Sequence, residues 1–247
     1  MSKYLLEIGV EELPYKFIPS AEKQLKDGFT KFFESNQIEF GDIEVYATPR
    51  RLTVIVQDLS DAQPDSEKLF KGPIKSIAFD EAGNLTKAAE GFAKKNNVDA
   101  KDLFVEDNYV FAKVFTKGKD TRKALQENIS NILFKLQGSH FMRWANNDEK
   151  FSRPIRWIVS LYNNEELPLE ILDIKSSKFS RGHRSFSDSV EITSIDEYKN
   201  ILRNAYVIVD QKERQEKIQE LANTEATKHG ATTRISEDFL EEVTYIC

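Results

Sequence analysis

Ile43-Glu44-Val45-Tyr46-Ala47-Thr48-Pro49-Arg50-Arg51-Leu52-Thr53-Val54-Ile55-Val56-Gln57-Asp58-Leu59 is the stretch on which the fold turns. Two runs rich in β-branched residues, Ile43–Thr48 and Leu52–Leu59, flank a proline and two arginines. That is the pattern of two strands around a tight connection. A turn there presents both guanidinium groups.

Upstream, Lys3–Val10 reads as a short, mostly apolar strand. Pro14 follows Glu11 and Glu12, as expected where a helix begins, since proline fits the first turn and acids favour the helix dipole. Ile18, Ala21, Leu25, Phe29, Phe32 and Phe33 then recur at steps of three and four, predicting an amphipathic helix to about Ser35. Downstream, Asp61–Glu67 reads as a loop, Ile74–Asp80 as a strand, and Glu81-Ala82-Gly83-Asn84 as a turn. Thr86 is placed to cap a short helix through Lys95.

Tyr109–Phe115 is a strand, and Asp120 or Thr121 starts a helix with apolar positions at Ala124, Leu125, Ile129, Ile132, Leu133 and Leu136. Ile155–Tyr162 and Leu167–Ile174 read as a strand pair joined by Asn163-Asn164-Glu165-Glu166. Ser194–Arg203 reads as helix, Tyr206–Val209 as a short strand, and Gln211–Lys228 as a charged helix. Strands and helices follow no regular βαβ rhythm, so the expected class is α+β: mixed or antiparallel sheets, packed amphipathic helices and a helical C-terminal segment. The expected organisation is an N-terminal α+β region over 1–118, an arginine-rich α+β region over 119–205, and a helical segment over 206–247.

The 247 residues are 40% hydrophobic and 11% aromatic, too rich in core formers for an intrinsically disordered chain. The longest stretch without a charged residue, Trp157–Asn164, is far short of the roughly 20 residues a bilayer helix needs, and Glu7 breaks the apolar start as no secretory signal would. A single Cys, Cys247, precludes an internal disulfide and a cysteine-rich metal site. A cytoplasmic setting is expected.

A net charge of −6 would argue against a nucleic-acid partner, yet it is unevenly spread. His140–Arg184 holds five of the eleven arginines and is net +2, whereas Ser185–Cys247 is net −6.

No phosphate loop, dinucleotide fingerprint, nucleophile elbow or His-Glu-x-x-His pattern occurs. Three scattered histidines and one cysteine make no conventional zinc site. The carboxylate doublets Glu11/Glu12, Glu165/Glu166 and Glu241/Glu242 read as solvated surface, because adjacent side chains on a helix or strand point apart. No residue is assigned as catalytic.

Three cationic clusters remain. Pro49-Arg50-Arg51 is the first. The second runs from Phe141-Met142-Arg143-Trp144 to Phe151-Ser152-Arg153-Pro154-Ile155-Arg156-Trp157. The third is Arg181-Gly182-His183-Arg184, where the glycine permits an unusual backbone turn. Guanidinium forks suit phosphate, and Trp144, Trp157, Phe151, Phe179 and Phe186 are candidates to stack on unpaired bases. Core packing is the alternative for these aromatics, and ion pairing across a sheet is the alternative for the arginines. For Arg181, His183 and Arg184 an interface role and a structural one both stand, His183 reading as a hydrogen-bonding residue rather than a proton shuttle.

These same segments resemble the N-terminal part of the β subunit of bacterial heterotetrameric glycyl-tRNA synthetases. The resemblance is carried in order by Leu5-Leu6-Glu7-Ile8-Gly9-Val10-Glu11-Glu12-Leu13-Pro14, Thr48-Pro49-Arg50-Arg51-Leu52, Lys71-Gly72-Pro73 with Ala78-Phe79-Asp80, and Thr86-Lys87-Ala88-Ala89-Glu90-Gly91-Phe92-Ala93. Met142-Arg143-Trp144, Arg153-Pro154-Ile155-Arg156-Trp157 and Arg181-Gly182-His183-Arg184 complete it. The chain departs from the family pattern at Ala145, where glycine is usual, at Ser185, which precedes Phe186, and at Gln137-Gly138-Ser139-His140. Because the family's β subunits are several times longer, and Phe239–Cys247 reads as a helix still in progress, a fragment is expected.

The resemblance implies a non-catalytic subunit of an ATP-dependent ligase that joins glycine to tRNA(Gly), giving AMP and diphosphate. It implies an α subunit partner in an α2β2 tetramer, no cofactor on this chain, and ATP with Mg2+ at the α subunit. Arg50, Arg51, Arg143, Arg153, Arg156, Arg181, His183 and Arg184 are the expected tRNA or intersubunit contacts. Two rivals are an assembly module that docks the α subunit without touching RNA, and a small-molecule enzyme with Arg153, Arg156 and His183 around one pocket.

Overall fold

The computed structural model describes residues 1–80, 83–144 and 146–247. The chain forms two compact units, residues 1–61 with 120–247 and residues 62–119. The second is an insertion in the chain of the first, so the units are not the three consecutive segments expected from the sequence.

The first unit opens with β1 (Ser2–Val10), a 3-10 turn (Tyr15–Phe17) and α1 (Ile18–Ser35), followed by β2 (Ile43–Thr48) and β3 (Arg51–Leu59). Thr48 pairs with Arg51, so Pro49 and Arg50 form a two-residue hairpin turn, as expected.

The inserted unit holds β4 (Ser66–Ile74), α2 (Lys75–Ala78), α3 (Lys87–Lys95), β5 (Phe104–Glu106) and β6 (Tyr109–Thr116). Its antiparallel sheet has the order β4-β6-β5, and Ala78, Ala89 and Val110 form its small core. The strand expected at Ile74–Asp80 lies earlier, over Ser66–Ile74, where β6 supplies its backbone partners, and a helical turn replaces it. Thr86 is the N-cap residue of α3, but its hydroxyl donates back to Ile77 O at 2.7 Å. Glu81 and Ala82 of the expected turn, and Ala145, lie outside the described residues.

The first unit resumes with α4 (Thr121–Phe134), β7 (Met142–Arg143), β8 (Lys150–Phe151), β9 (Ile155–Tyr162), β10 (Glu165–Glu166), β11 (Glu170–Ile171), β12 (Ile174–Ser177), β13 (Phe179–Arg181) and β14 (Ser189–Glu191). It ends in α5 (Tyr198–Asn204), α6 (Gln211–Lys228) and α7 (Glu237–Ile246). The central sheet runs β11-β12-β9-β1-β3-β2 and is antiparallel except between β12 and β9. With helices packed on it, the fold is α+β.

Both faces of this sheet are buried. Tyr4, Leu6, Ile8 and Val10 join one core with the apolar stripe of α1 and with Leu125, Ile129 and Leu133 of α4. Leu5 joins a second core with Trp157, Val159, Tyr198 and Leu202. Strand alternation assigns odd and even residues to opposite faces, so β1 reads as one apolar run.

Two strand expectations are corrected. Leu167–Ile174 contains a turn at Leu172-Asp173, whose φ angles are +51° and +63°, and divides into β11 and β12. Tyr206–Val209 forms no strand, and Tyr206 takes a left-handed φ of +62°.

Candidate nucleic-acid interface

The site is built from one row across the sheet: Thr48, Arg51, Gly9 and Trp157 are successive cross-strand partners. A Cβ on Gly9 would come within 1.9 Å of the Trp157 ring, so only glycine lets the indole cross β1 here. Trp157 Nε1 donates to Glu7 Oε1 at 2.5 Å. The same oxygen accepts from Ser180 Oγ at 2.5 Å, and Oε2 accepts from Tyr198 OH at 2.5 Å. Tyr198 OH in turn pairs with Thr53 Oγ1 at 2.8 Å, which acts as the donor there. Glu7 is 0% exposed, and three donors compensate the desolvation of its carboxylate. Burial, then the Glu7 charge, push the Tyr198 hydroxyl well above its ordinary range, keeping it a donor.

Above this floor three guanidinium groups surround Trp157, with Arg50, Arg51 and Arg181 at 5.9, 5.9 and 5.0 Å from its ring. Arg51 is 3% exposed. Its Nη2 donates to Arg181 O at 2.6 Å, while its Nε and Nη1 have no hydrogen-bond partner among the described residues, nor has Arg50 Nε. Burial first, then the neighbouring charge of Arg184, hold the Arg50 guanidinium below its ordinary range, and Arg181 and Arg51 add to this. Like charges thus crowd together at this end of the sheet.

The Glu11/Glu12 doublet is ion-paired rather than simply solvated. Glu11 meets Arg156 at 3.3 Å and Arg50 at 3.9 Å, and Glu12 meets Arg184 at 3.2 Å. Arg153 Nε donates to Glu12 O at 2.9 Å. Arg50, Arg153, Arg156 and Arg184 thus gather around the end of β1. Arg143 stands apart on the β7–β8 hairpin, donating to Asp148 O at 3.0 Å.

A groove of about 540 Å³ is lined by Arg50, Arg51, His183 and Arg184, by Glu12, and by the apolar residues Leu221 and Ile246. Two of the three sequence clusters therefore converge. Neither Arg153 nor Arg156 lines this groove, so the compact pocket required for a small-molecule enzyme does not form there. Among the described residues, no group of three or more His, Cys, Asp or Glu is arranged to hold a metal, and no helix is long and apolar enough to cross a membrane.

Gly182 is needed for space rather than for a turn: a Cβ there would meet Ser187 Oγ at 2.5 Å and Ala205 Cβ at 2.9 Å. His183 N donates to Ala205 O at 2.9 Å, and its Nδ1 accepts from Ser185 N at 3.2 Å. Trp157 and Phe151 are core, and Trp144 packs against the core with Nε1 donating to Phe151 O. Phe179 and Phe186 are exposed.

Two buried charged residues that hold the fold together escape the sequence reading. Glu7 had a signal, as a charge that interrupts the apolar run from Tyr4 to Val10. Arg214 had none, lying in a helix crowded with charge, yet it is buried and donates to Thr244 O, Ile208 O and Ala47 O at 2.8, 2.8 and 2.9 Å.

The fold and groove define an α+β module with an arginine-lined groove. A family model described as glycyl-tRNA synthetase beta subunit matches residues 4–247, and the chain belongs to that family. It is 40% identical over its whole length to the glycine–tRNA ligase beta subunit of Clostridioides difficile (strain 630), of which it spans 37%. It is 38% and 40% identical, over 98% of its length, to the beta subunits of Desulfitobacterium hafniense (strain DSM 10664 / DCB-2) and Natranaerobius thermophilus, spanning 36% of each. The chain thus covers little more than a third of these relatives.

Proposed function

We propose that this chain is the part of a glycine–tRNA ligase β subunit that holds tRNA(Gly) and helps assemble an α2β2 enzyme in the cytoplasm. The enzyme converts ATP, glycine and tRNA(Gly) into glycyl-tRNA(Gly), AMP and diphosphate. In this reading ATP and Mg2+ act at the α subunit, and no cofactor and no catalytic step belong to this chain. Its contribution is positional: arginines on the groove neutralise RNA phosphates and orient the tRNA. The supporting observation is that Arg50, Arg51, His183 and Arg184, from two separate sequence clusters, line one groove.

The apolar wall of the groove, with Leu221 and Ile246 exposed, favours a second reading in which the α subunit docks there without RNA contact. Size-exclusion chromatography separates the two. The full β subunit is mixed with labelled tRNA(Gly), with the α subunit, or with both. Co-elution with tRNA that is weakened by Arg50→Gln supports the tRNA reading. Loss of α subunit co-elution in Leu221→Asp, with tRNA binding intact, supports docking alone.

A further inference from the structure

The groove is flanked by rings that the hydrophobic core does not use. Phe186 is 69% exposed and Tyr206 66% exposed, and their centroids lie 5.5 Å apart. His183 also stacks on Phe186, at 4.6 Å and 21° between planes. Three neighbouring rings in water bury little apolar surface, so folding alone gives weak reason for them.

The Tyr206 ring is carried by the end of a helix. Tyr206 holds φ at +62° as the residue after the C-cap of α5, where Tyr206 N donates to Arg203 O at 3.0 Å and Val207 N to Leu202 O at 2.9 Å. Glycine would occupy that position without strain. A tyrosine rather than a glycine at this helix end keeps an exposed ring beside the cationic groove.

Arg184, on the same loop as His183 and Phe186, projects into the groove with Arg50 and Arg51. Guanidinium groups take phosphate through paired N–H donors, while exposed aromatic faces take unpaired bases by stacking. We propose that this corner binds one unpaired nucleotide of RNA, its phosphate among Arg50, Arg51 and Arg184 and its base on the Phe186–Tyr206 pair. The inference rests on the tRNA reading of the groove and adds that a single strand, rather than a duplex, enters it. A duplex keeps its base faces stacked internally and offers only phosphates.

The test uses the assembled α2β2 enzyme and a short single-stranded RNA carrying 4-thiouridine, irradiated to crosslink the base to its nearest neighbour. The expected result is a crosslinked peptide containing Phe186 or Tyr206, suppressed by excess unlabelled single strand much more than by duplex. Phe186→Ala and Tyr206→Gly should each lower its yield about tenfold, the size of one lost base–aromatic stack. Tyr206→Gly should melt no lower than the parent, since it relieves the left-handed backbone, which separates loss of a ring from loss of folding. Arg184→Gln should lower both the crosslink and tRNA(Gly) binding.

If crosslinks form only elsewhere, or survive both aromatic changes, the nucleotide site is wrong, although lost tRNA binding in Arg184→Gln would keep the cationic reading. If Arg50→Gln and Arg184→Gln leave both readouts unchanged, the underlying tRNA reading of the groove fails too. If Phe186→Ala instead releases the α subunit, the rings belong to a protein interface and the proposal is overturned.

Discussion

Glu7 and Trp157 are bound across the sheet: the indole Nε1 donates to Oε1 of a fully buried carboxylate at 2.5 Å, directly beneath three guanidinium groups. The carboxylate gathers donors from β9, β13 and α5, so one charge ties together the elements that form the groove floor. Glu7→Leu should therefore lower stability by about 3–5 kcal/mol, leaving those three buried donors without their acceptor. Glu7→Gln keeps one oxygen and should lose less, about 1–3 kcal/mol. Urea unfolding of both variants checks this order, and equal stability of all three proteins would refute the role.

Gly9 tests the same floor from the other side. The Cβ in Gly9→Ala must displace the Trp157 ring, whose atoms lie 1.9 Å from its position. A loss of about 3 kcal/mol or more is expected. Shrinking the neighbour by Trp157→Leu should be less harmful in the Gly9→Ala background than alone. A double-mutant cycle measures that coupling, and strictly additive losses would contradict the close packing.

Much of this framework was legible because its cause is local. Period-three-and-four apolar residues mark α1 and α4, and β-branched runs around Pro49-Arg50 mark the β2–β3 hairpin. The turn after β9 was legible in part: asparagine tolerates the φ angles of +51° and +67° at Asn163-Asn164, but Glu165-Glu166, read as part of the connection, pair with β9 as β10. The Leu172-Asp173 turn was not, because leucine in a left-handed conformation is imposed by tertiary pairing. Each arginine cluster is contiguous and therefore visible. Their convergence depends on the register that sets Arg51 and Trp157 on either side of Gly9, and no spacing encodes it. Arg143 shares the sequence signature yet sits on a separate hairpin.

Arg214 serves three carbonyl groups on different segments, at Ala47, Ile208 and Thr244. Arg214→Met should cost about 3 kcal/mol, leaving those acceptors buried without donors. Arg214→Lys should rescue little, because a single ammonium cannot span the fork. Thermal melts of both variants decide the matter, and full rescue by lysine would show that charge alone matters.

Glu22 of α1 carries a pH dependence. Burial pushes its carboxyl from the ordinary 4.5 up to about 7, against the lowering pull of the Tyr245 hydrogen bond and of Arg214. The native chain therefore binds this proton more tightly than the unfolded chain does. Its contribution is favourable at low pH and is lost as pH rises from about 4.5 through about 7, by at most about 3 kcal/mol. Glu22→Gln should flatten that part of the profile and be the more stable protein above pH 7. Denaturant unfolding across this range checks the sign, and parallel profiles would contradict it.

The most direct test of the central claim is the salt dependence of tRNA(Gly) binding by the assembled enzyme. Each phosphate contact contributes about 0.7 to 0.9 to the slope of log K against log salt. Replacing Arg181 and Arg184 together with glutamine should weaken binding and reduce the slope by about 1.4 to 1.8. A correctly folded double variant with an unchanged slope would remove this groove from the tRNA surface.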